Sequence, residues 1–173
     1  PANSGFLNEG TAVVLSWTPS GADYYGQVFG APGGTITFGW IGSTSYPLGI
    51  LPPGYTYAWQ VKARTPSGES AYSSTWSFSV RPAVPTNLTA TPVSSSQVNL
   101  SWLDNSAYED GHKIYRDGVL IATLGSGSTS YNDTGLLEGS THYYQVRSYR
   151  GIYDSLPSNN APVTLSMDCF TLT

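Results

Sequence analysis

The chain holds two histidines, His112 and His142, and one short acidic cluster, Asp104, Glu109 and Asp110. These are the residue types from which a catalytic or metal site would be built. A catalytic histidine needs a nucleophile to activate and an acid to orient it, and nothing marks such a pair near either one. A zinc site would set Cys or His partners at short fixed spacings, and none stands beside His112 or His142. Loop carboxylates could hold calcium, but the cluster lacks the spacing of an EF-hand. Glycoside hydrolysis needs two carboxylates at a fixed separation across a cleft. Neither this cluster nor Asp23 with Glu69 implies one. No Gly-x-Ser-x-Gly and no phosphate-binding loop is present. The sequence therefore predicts no catalytic residue, no metal site and no cofactor. Both histidines are read as structural and the acidic cluster as a solvated loop.

Aromatic side chains carry the remaining binding chemistry. Flat exposed rings stack on sugar faces, and Tyr or Trp also anchors protein interfaces at low entropic cost. Tyr143, Tyr149 and Tyr153 fall on an outward face or loop end, Tyr55 in a turn, and Trp40 in a strand whose orientation the pattern does not fix. These five are the candidates for surface contact, against the plain alternative that tyrosine favours exposed sheet positions. A coplanar row of rings on one face would favour sugar binding. Scattered rings turned toward a neighbouring domain would favour a spacer.

The faces are set by strands, and the strands by a repeat. Leu15-Ser16-Trp17 recurs as Leu100-Ser101-Trp102, Ser43-Thr44-Ser45-Tyr46 as Ser128-Thr129-Ser130-Tyr131, and Gln60-Val61 as Gln145-Val146. One offset relates every pair, and a period this long is a whole domain. Gly and Pro punctuate segments rich in Val, Thr, Tyr and Trp, which is an all-β pattern. Tyr57, Trp59, Val61 and Ala63 share one face, with Ala58, Gln60, Lys62 and Arg64 on the other. In the second half His142, Tyr144, Val146 and Ser148 point inward while Tyr143, Gln145, Arg147 and Tyr149 point out. Trp17, Trp59, Trp76, Trp102, Tyr57, His142 and Tyr144 are thus predicted as core. Asp117-Gly118 marks a tight hairpin. The prolines of Arg81-Pro82-Ala83-Val84-Pro85 stiffen a short connector. The predicted domains are 1–81 and 82–165, with 166–173 as a tail or the start of a following module.

Charge is sparse: 7 basic against 11 acidic residues, net −4. No basic cluster could follow a phosphate backbone, so nucleic acid is not an expected partner. No apolar run is long enough to predict membrane insertion. The single cysteine, Cys169, lies past the second repeat, so neither domain is predicted to rest on a disulfide.

Leu-x-Trp in an early strand, then Leu51-Pro52-Pro53-Gly54-Tyr55-Thr56-Tyr57-Ala58-Trp59-Gln60-Val61, resembles a fibronectin type III domain. Gly135-Leu136-Leu137-Glu138-Gly139-Ser140-Thr141-His142-Tyr143-Tyr144-Gln145-Val146 resembles the same motif, and Gly111-His112-Lys113-Ile114-Tyr115-Arg116-Asp117-Gly118 the family's third strand and turn. The resemblance implies two consecutive immunoglobulin-like, seven-stranded β-sandwiches, the first without a convincing strand A. It equates Tyr57 with the family's corner tyrosine, whose position holds His142 in the second half. It further implies a bacterial, extracellular or cell-surface setting. There the chain would be a noncatalytic spacer, scaffold or docking unit for neighbouring domains of a larger secreted protein such as a hydrolase. The expected partners are adjacent domains or another extracellular protein. The alternative is a carbohydrate-binding or adhesive module, with polysaccharide as partner.

Overall fold

The computed structural model describes residues 4–167 and divides into two compact units, Pro1–Arg81 and Pro82–Thr173. The tail beyond residue 167, with Cys169, lies outside the described residues. In the first unit β1 (Gly5–Asn8), β2 (Ala12–Ser16), β3 (Asp23–Phe29), β4 (Ile36–Ile41), β5 (Ser45–Ile50), β6 (Tyr55–Thr65), β7 (Gly68–Glu69) and β8 (Trp76–Arg81) make two sheets. One has the order β1-β8-β6-β3-β4 with β7 on β6, and the other is the pair β2-β5. Alternation decides what lies between them. Leu15, Tyr24, Val28, Tyr57, Trp59, Val61 and Phe78 are buried, every second residue along their strands. Trp17 and Trp76 are half-buried and pack against this core. Gly26 makes room for the Phe38 ring. A Cβ there would lie 1.9 Å from Phe38 Cζ, so its absence lets Phe38 stack on Trp17 and Tyr46 at centroid distances of 5.6 and 4.3 Å.

The missing strand A has a structural form. Residues Gly5–Asn8 run parallel to β8, with Gly5 opposite Phe78 and Asn8 opposite Arg81. Among the described residues β2 has one neighbour, β5, and its other side is an open edge.

The second unit contains β9 (Thr86–Ser94), β10 (Gln97–Leu103), β11 (Gly111–Arg116), β12 (Val119–Gly125), β13 (Ser130–Thr134), β14 (Thr141–Arg150), β15 (Tyr153–Asp154) and β16 (Ala161–Thr164). Its sheets have the orders β13-β10-β9 and β12-β11-β14-β15, with β16 also on β14. Here β10, the counterpart of β2, is flanked on both sides. Trp102, Ile114, Tyr144 and Val146 lie in the core. Asp117 and Gly118 both hold positive φ, 53° and 81°, the backbone of the two-residue turn that matches strand twist. Both units are all-β sandwiches of immunoglobulin-like type, and no helix occurs among the described residues.

Two devices recur in both units. Ser70 and Ser73 accept hydrogen bonds from the Ala63 and Val61 amides through their hydroxyls, and their own amides bond back to the same two residues. Ser155 and Ser158 do the same with Ser148 and Val146. A hydroxyl thus replaces a carbonyl in the ladder and gives each of these four amides an acceptor. The second device is the corner. Tyr57 Oη donates to the Pro52 carbonyl at 2.8 Å. His142 Nε2 lies 2.9 Å from Ser140 Oγ, which in turn donates to the Leu137 carbonyl.

Candidate functional site

The outward face of the first unit gathers aromatic and charged side chains from three strands and the segment after β7. Because β3 alternates, Tyr24 goes to the core and Asp23, Tyr25 and Gln27 face out; β6 adds Gln60, Lys62 and Arg64. Trp40 comes from the edge strand β4, its ring 5.8 Å from that of Tyr25 and tilted by 52°. Lys62 Nζ lies over three rings, at 5.4 Å from Tyr25, 5.3 Å from Trp40 and 5.5 Å from Tyr72. The Arg64 guanidinium sits 4.5 Å from the Trp40 ring. Each cation is also paired, Lys62 with Glu69 at 2.6 Å and Arg64 with Asp23 at 2.8 Å. The hydrogen bond to Glu69, aided by its charge, holds the Lys62 ammonium above its ordinary pKa. The patch is therefore rich in rings and close to neutral. Cation–π contact helps to hold the rings in place.

The second unit carries a counterpart. Lys113 Nζ lies 5.2 Å from the Tyr149 ring and pairs with Asp154, and the Arg147 guanidinium lies 5.6 Å from the Tyr115 ring. Beside them Tyr115, Asp117, Gly118, Tyr143, Gln145 and Asn160 line an open groove of about 480 Å³.

Of the residues singled out for surface contact, Tyr143 is exposed, and Trp40, Tyr149 and Tyr153 are half-buried. Tyr153 sits on β15 opposite Arg150. Tyr55 opens β6 and tilts against Tyr57, which ties it to the core as well as the surface. Trp40 is brought together with Tyr25, Tyr72, Lys62 and Arg64. Tyr25 and Tyr115 escaped the sequence reading, although each is two residues from a charged outward position on its own strand. Neither a coplanar row nor a scatter describes the first patch: its rings share one face but are tilted to one another.

The acidic cluster is not a solvated loop. Glu109 is buried and accepts hydrogen bonds from Ser126 Oγ and the Gly127 amide, both 2.9 Å. Asp104 Oδ1 lies 3.5 Å from Nε2 of the fully buried His112, whose ring tilts against Trp102. Asp110 accepts from the Gly151 amide. The Gly127 and Gly151 amides bond two of these carboxylates, whereas neither ring nitrogen of buried His112 has a hydrogen-bond partner, Asp104 standing beside it as a charge. Burial lowers the pKa of His112 against the pull of Asp104 and Glu109. Burial likewise raises Asp104. Burial pushes Glu109 upward too, but its bonds from Gly127 and Ser126 outweigh that and hold it low. Asp133, also buried, accepts two hydrogen bonds from Arg116 and one from Tyr144 Oη. Among the described residues no group of three His, Cys, Asp or Glu side chains could hold a metal ion. Among the described residues no helix is long and apolar enough to cross a membrane.

Two consecutive immunoglobulin-like sandwiches, each with a ring-lined outward sheet face, define a tandem β-sandwich module. Residues 83–164 match the family model described as fibronectin type III domain. That span is nearly the whole of the second unit, and the first unit shares its fold, so the two are fibronectin type III-type sandwiches in tandem. A solved two-domain fibronectin type III segment of chicken tenascin covers the same fold, with a TM-score of 0.68 at 19% identity over 90% of this chain and 93% of that one. Among curated proteins the chain is 46% identical over 72 residues to an alpha-amylase of Niallia circulans, covering 39% of this chain and 5% of that protein. It is 27% identical over 136 residues to chitinase 63 of Streptomyces plicatus, covering 76% of this chain and 19% of that protein. The chain thus spans a fifth or less of the length of these relatives.

Proposed function

We propose that this chain is a noncatalytic carbohydrate-contacting module serving a larger extracellular or cell-surface protein. The observation that carries the reading is the first unit's outward face, where Trp40, Tyr25 and Tyr72 collect around Lys62. Rings supply flat apolar faces for the C–H side of a pyranose. Gln27 and Gln60, joined by one hydrogen bond of 3.3 Å, leave further amide groups for hydroxyls. The relatives named alpha-amylase and chitinase add support, since a module of this kind accompanies proteins named for polysaccharides. The 52° tilt between Tyr25 and Trp40 suits a single glycan chain that can bend over two rings. It does not suit a flat crystalline surface, on which all rings would have to lie level.

A spacer or docking role is the second reading, favoured by the same Trp, Tyr and Arg types, which also anchor protein interfaces. A glycan array probed with the full chain and with Trp40→Ala separates the two. The proposal expects micromolar binding to a neutral glycan and its loss in the variant. An array blank for the native chain would leave the spacer reading standing.

A further inference from the structure

Resting on the carbohydrate reading, we infer that the second unit holds its own glycan subsite, a groove over the outward face of β11 and β14 beside the Asp117-Gly118 turn, that takes one neutral pyranose. The groove of about 480 Å³ is lined by Tyr115, Asp117, Gly118, Tyr143, Gln145 and Asn160. That is ample for one sugar ring and short of an extended oligosaccharide.

The walls are built rather than incidental. The Asp117 carboxylate is fixed at both oxygens: Oδ1 accepts from the Tyr143 amide and Oδ2 from His142 Nδ1. A neighbouring residue shows how the chain sorts its polar groups. Asn159, though exposed, is committed to two hydrogen bonds with the Leu88 backbone, whereas Asn160, also exposed, lines the groove. Tyr143 is 51% exposed, and the Tyr115 ring is held by the Arg147 guanidinium. Gly118 leaves its side of the groove open, since a Cβ there would meet nothing within 4 Å.

The occupant follows from this chemistry. Two phenol rings offer apolar faces, and two planar amides offer donors and acceptors in pairs, which is the pattern that a ring of hydroxyls satisfies. The exposed Asp117 carboxylate disfavours an anionic sugar. An extended peptide would need an unpaired strand edge. The two strands beneath the groove offer none: β11 is paired with β12 and β14, and β14 with β11 and β16.

The test is an amide NMR titration of the full chain with maltohexaose, cellotetraose and chitotetraose, repeated on Trp40→Ala and Tyr143→Ala. The inference expects saturable shifts at Tyr115, Gly118, Gln145 and Asn160 with one of these sugars. They should persist in Trp40→Ala and weaken about tenfold in affinity in Tyr143→Ala. Tyr143→Phe, which keeps the ring, should retain most of the binding. Shifts confined to the Trp40 face, or groove shifts unchanged by Tyr143→Ala, overturn the subsite and leave the broader reading intact. Shifts at neither face with any of the sugars overturn both.

Discussion

Tyr57 and His142 occupy the same corner of the two repeats, and each is anchored to the carbonyl of the residue five places earlier. Tyr57 reaches Pro52 directly. His142 is too short and reaches Leu137 through Ser140. The Ser140 hydroxyl spends its one hydrogen on Leu137 and is left to accept from the imidazole. The His142–Asp117 contact closes the chain of bonds at 2.7 Å. A Ser–His–Asp arrangement of this geometry invites a catalytic reading, but its serine proton is directed at a backbone carbonyl and the arrangement braces a turn.

The corner predicts a simple mutational logic. Tyr57→Phe should cost the first unit about 1 kcal/mol, and Ser140→Ala should cost the second a similar amount. Adding His142→Tyr to Ser140→Ala should recover most of the loss, because the phenol spans the gap unaided. Urea unfolding followed by NMR cross-peaks from each unit separately measures all three.

The serine ladder predicts a local effect. Ser158→Ala strips the buried Val146 amide of its acceptor, which should cost roughly 1–3 kcal/mol. Hydrogen exchange at the Val146 amide should quicken by more than that of its neighbours on β14.

Asp133 is one of two buried carboxylates in the second unit and bonds both Arg116 and Tyr144. Asp133→Ala leaves Arg116 unpaired and Tyr144 without its acceptor, at a cost of about 3 kcal/mol, the low end for a broken buried pair because Arg116 keeps contact with solvent. Burial first, and then the bond to Asp133, raises the Tyr144 phenol well above its usual pKa. That contribution is whole below the ordinary phenol value of about 10. It is lost as pH rises through the higher folded value. Thermal melts across that alkaline range should show the second unit weakening, with a shallower slope in Tyr144→Phe.

Acid acts on His112. Its folded pKa is depressed by burial, so the unfolded chain binds the proton more readily. Stability should therefore fall as pH drops below the ordinary histidine value of about 6.5. Glu109, held low, adds a loss further down as it protonates. Asp104, held high, opposes both. His112→Phe should flatten the slope between about pH 6.5 and 5, as read from melting temperatures of the second unit.

Much of this architecture was legible in the residues. The alternation of Tyr57, Trp59, Val61 and Ala63 names the inward face of β6, and the charges on Lys62 and Arg64 name the outward one. Trp40 was not legible. Its strand mixes Ile36, Phe38, Gly39 and Ile41, so polarity marks no face, and its partners Tyr25 and Tyr72 come from other segments. The acidic loop misled for a related reason: Glu109 is buried by an amide and a hydroxyl, at Gly127 and Ser126, that no local pattern around Glu109 announces. Ser140 likewise gains its role only because His142 is shorter than the tyrosine it replaces.

Affinity electrophoresis through gels containing starch, glycol chitin or hydroxyethylcellulose tests the carbohydrate claim most directly. The native chain should be retarded in at least one of them, and Trp40→Ala should lose most of that retardation while remaining folded by NMR. Unretarded migration of the native chain in all three, or equal retardation of the variant, would contradict the account.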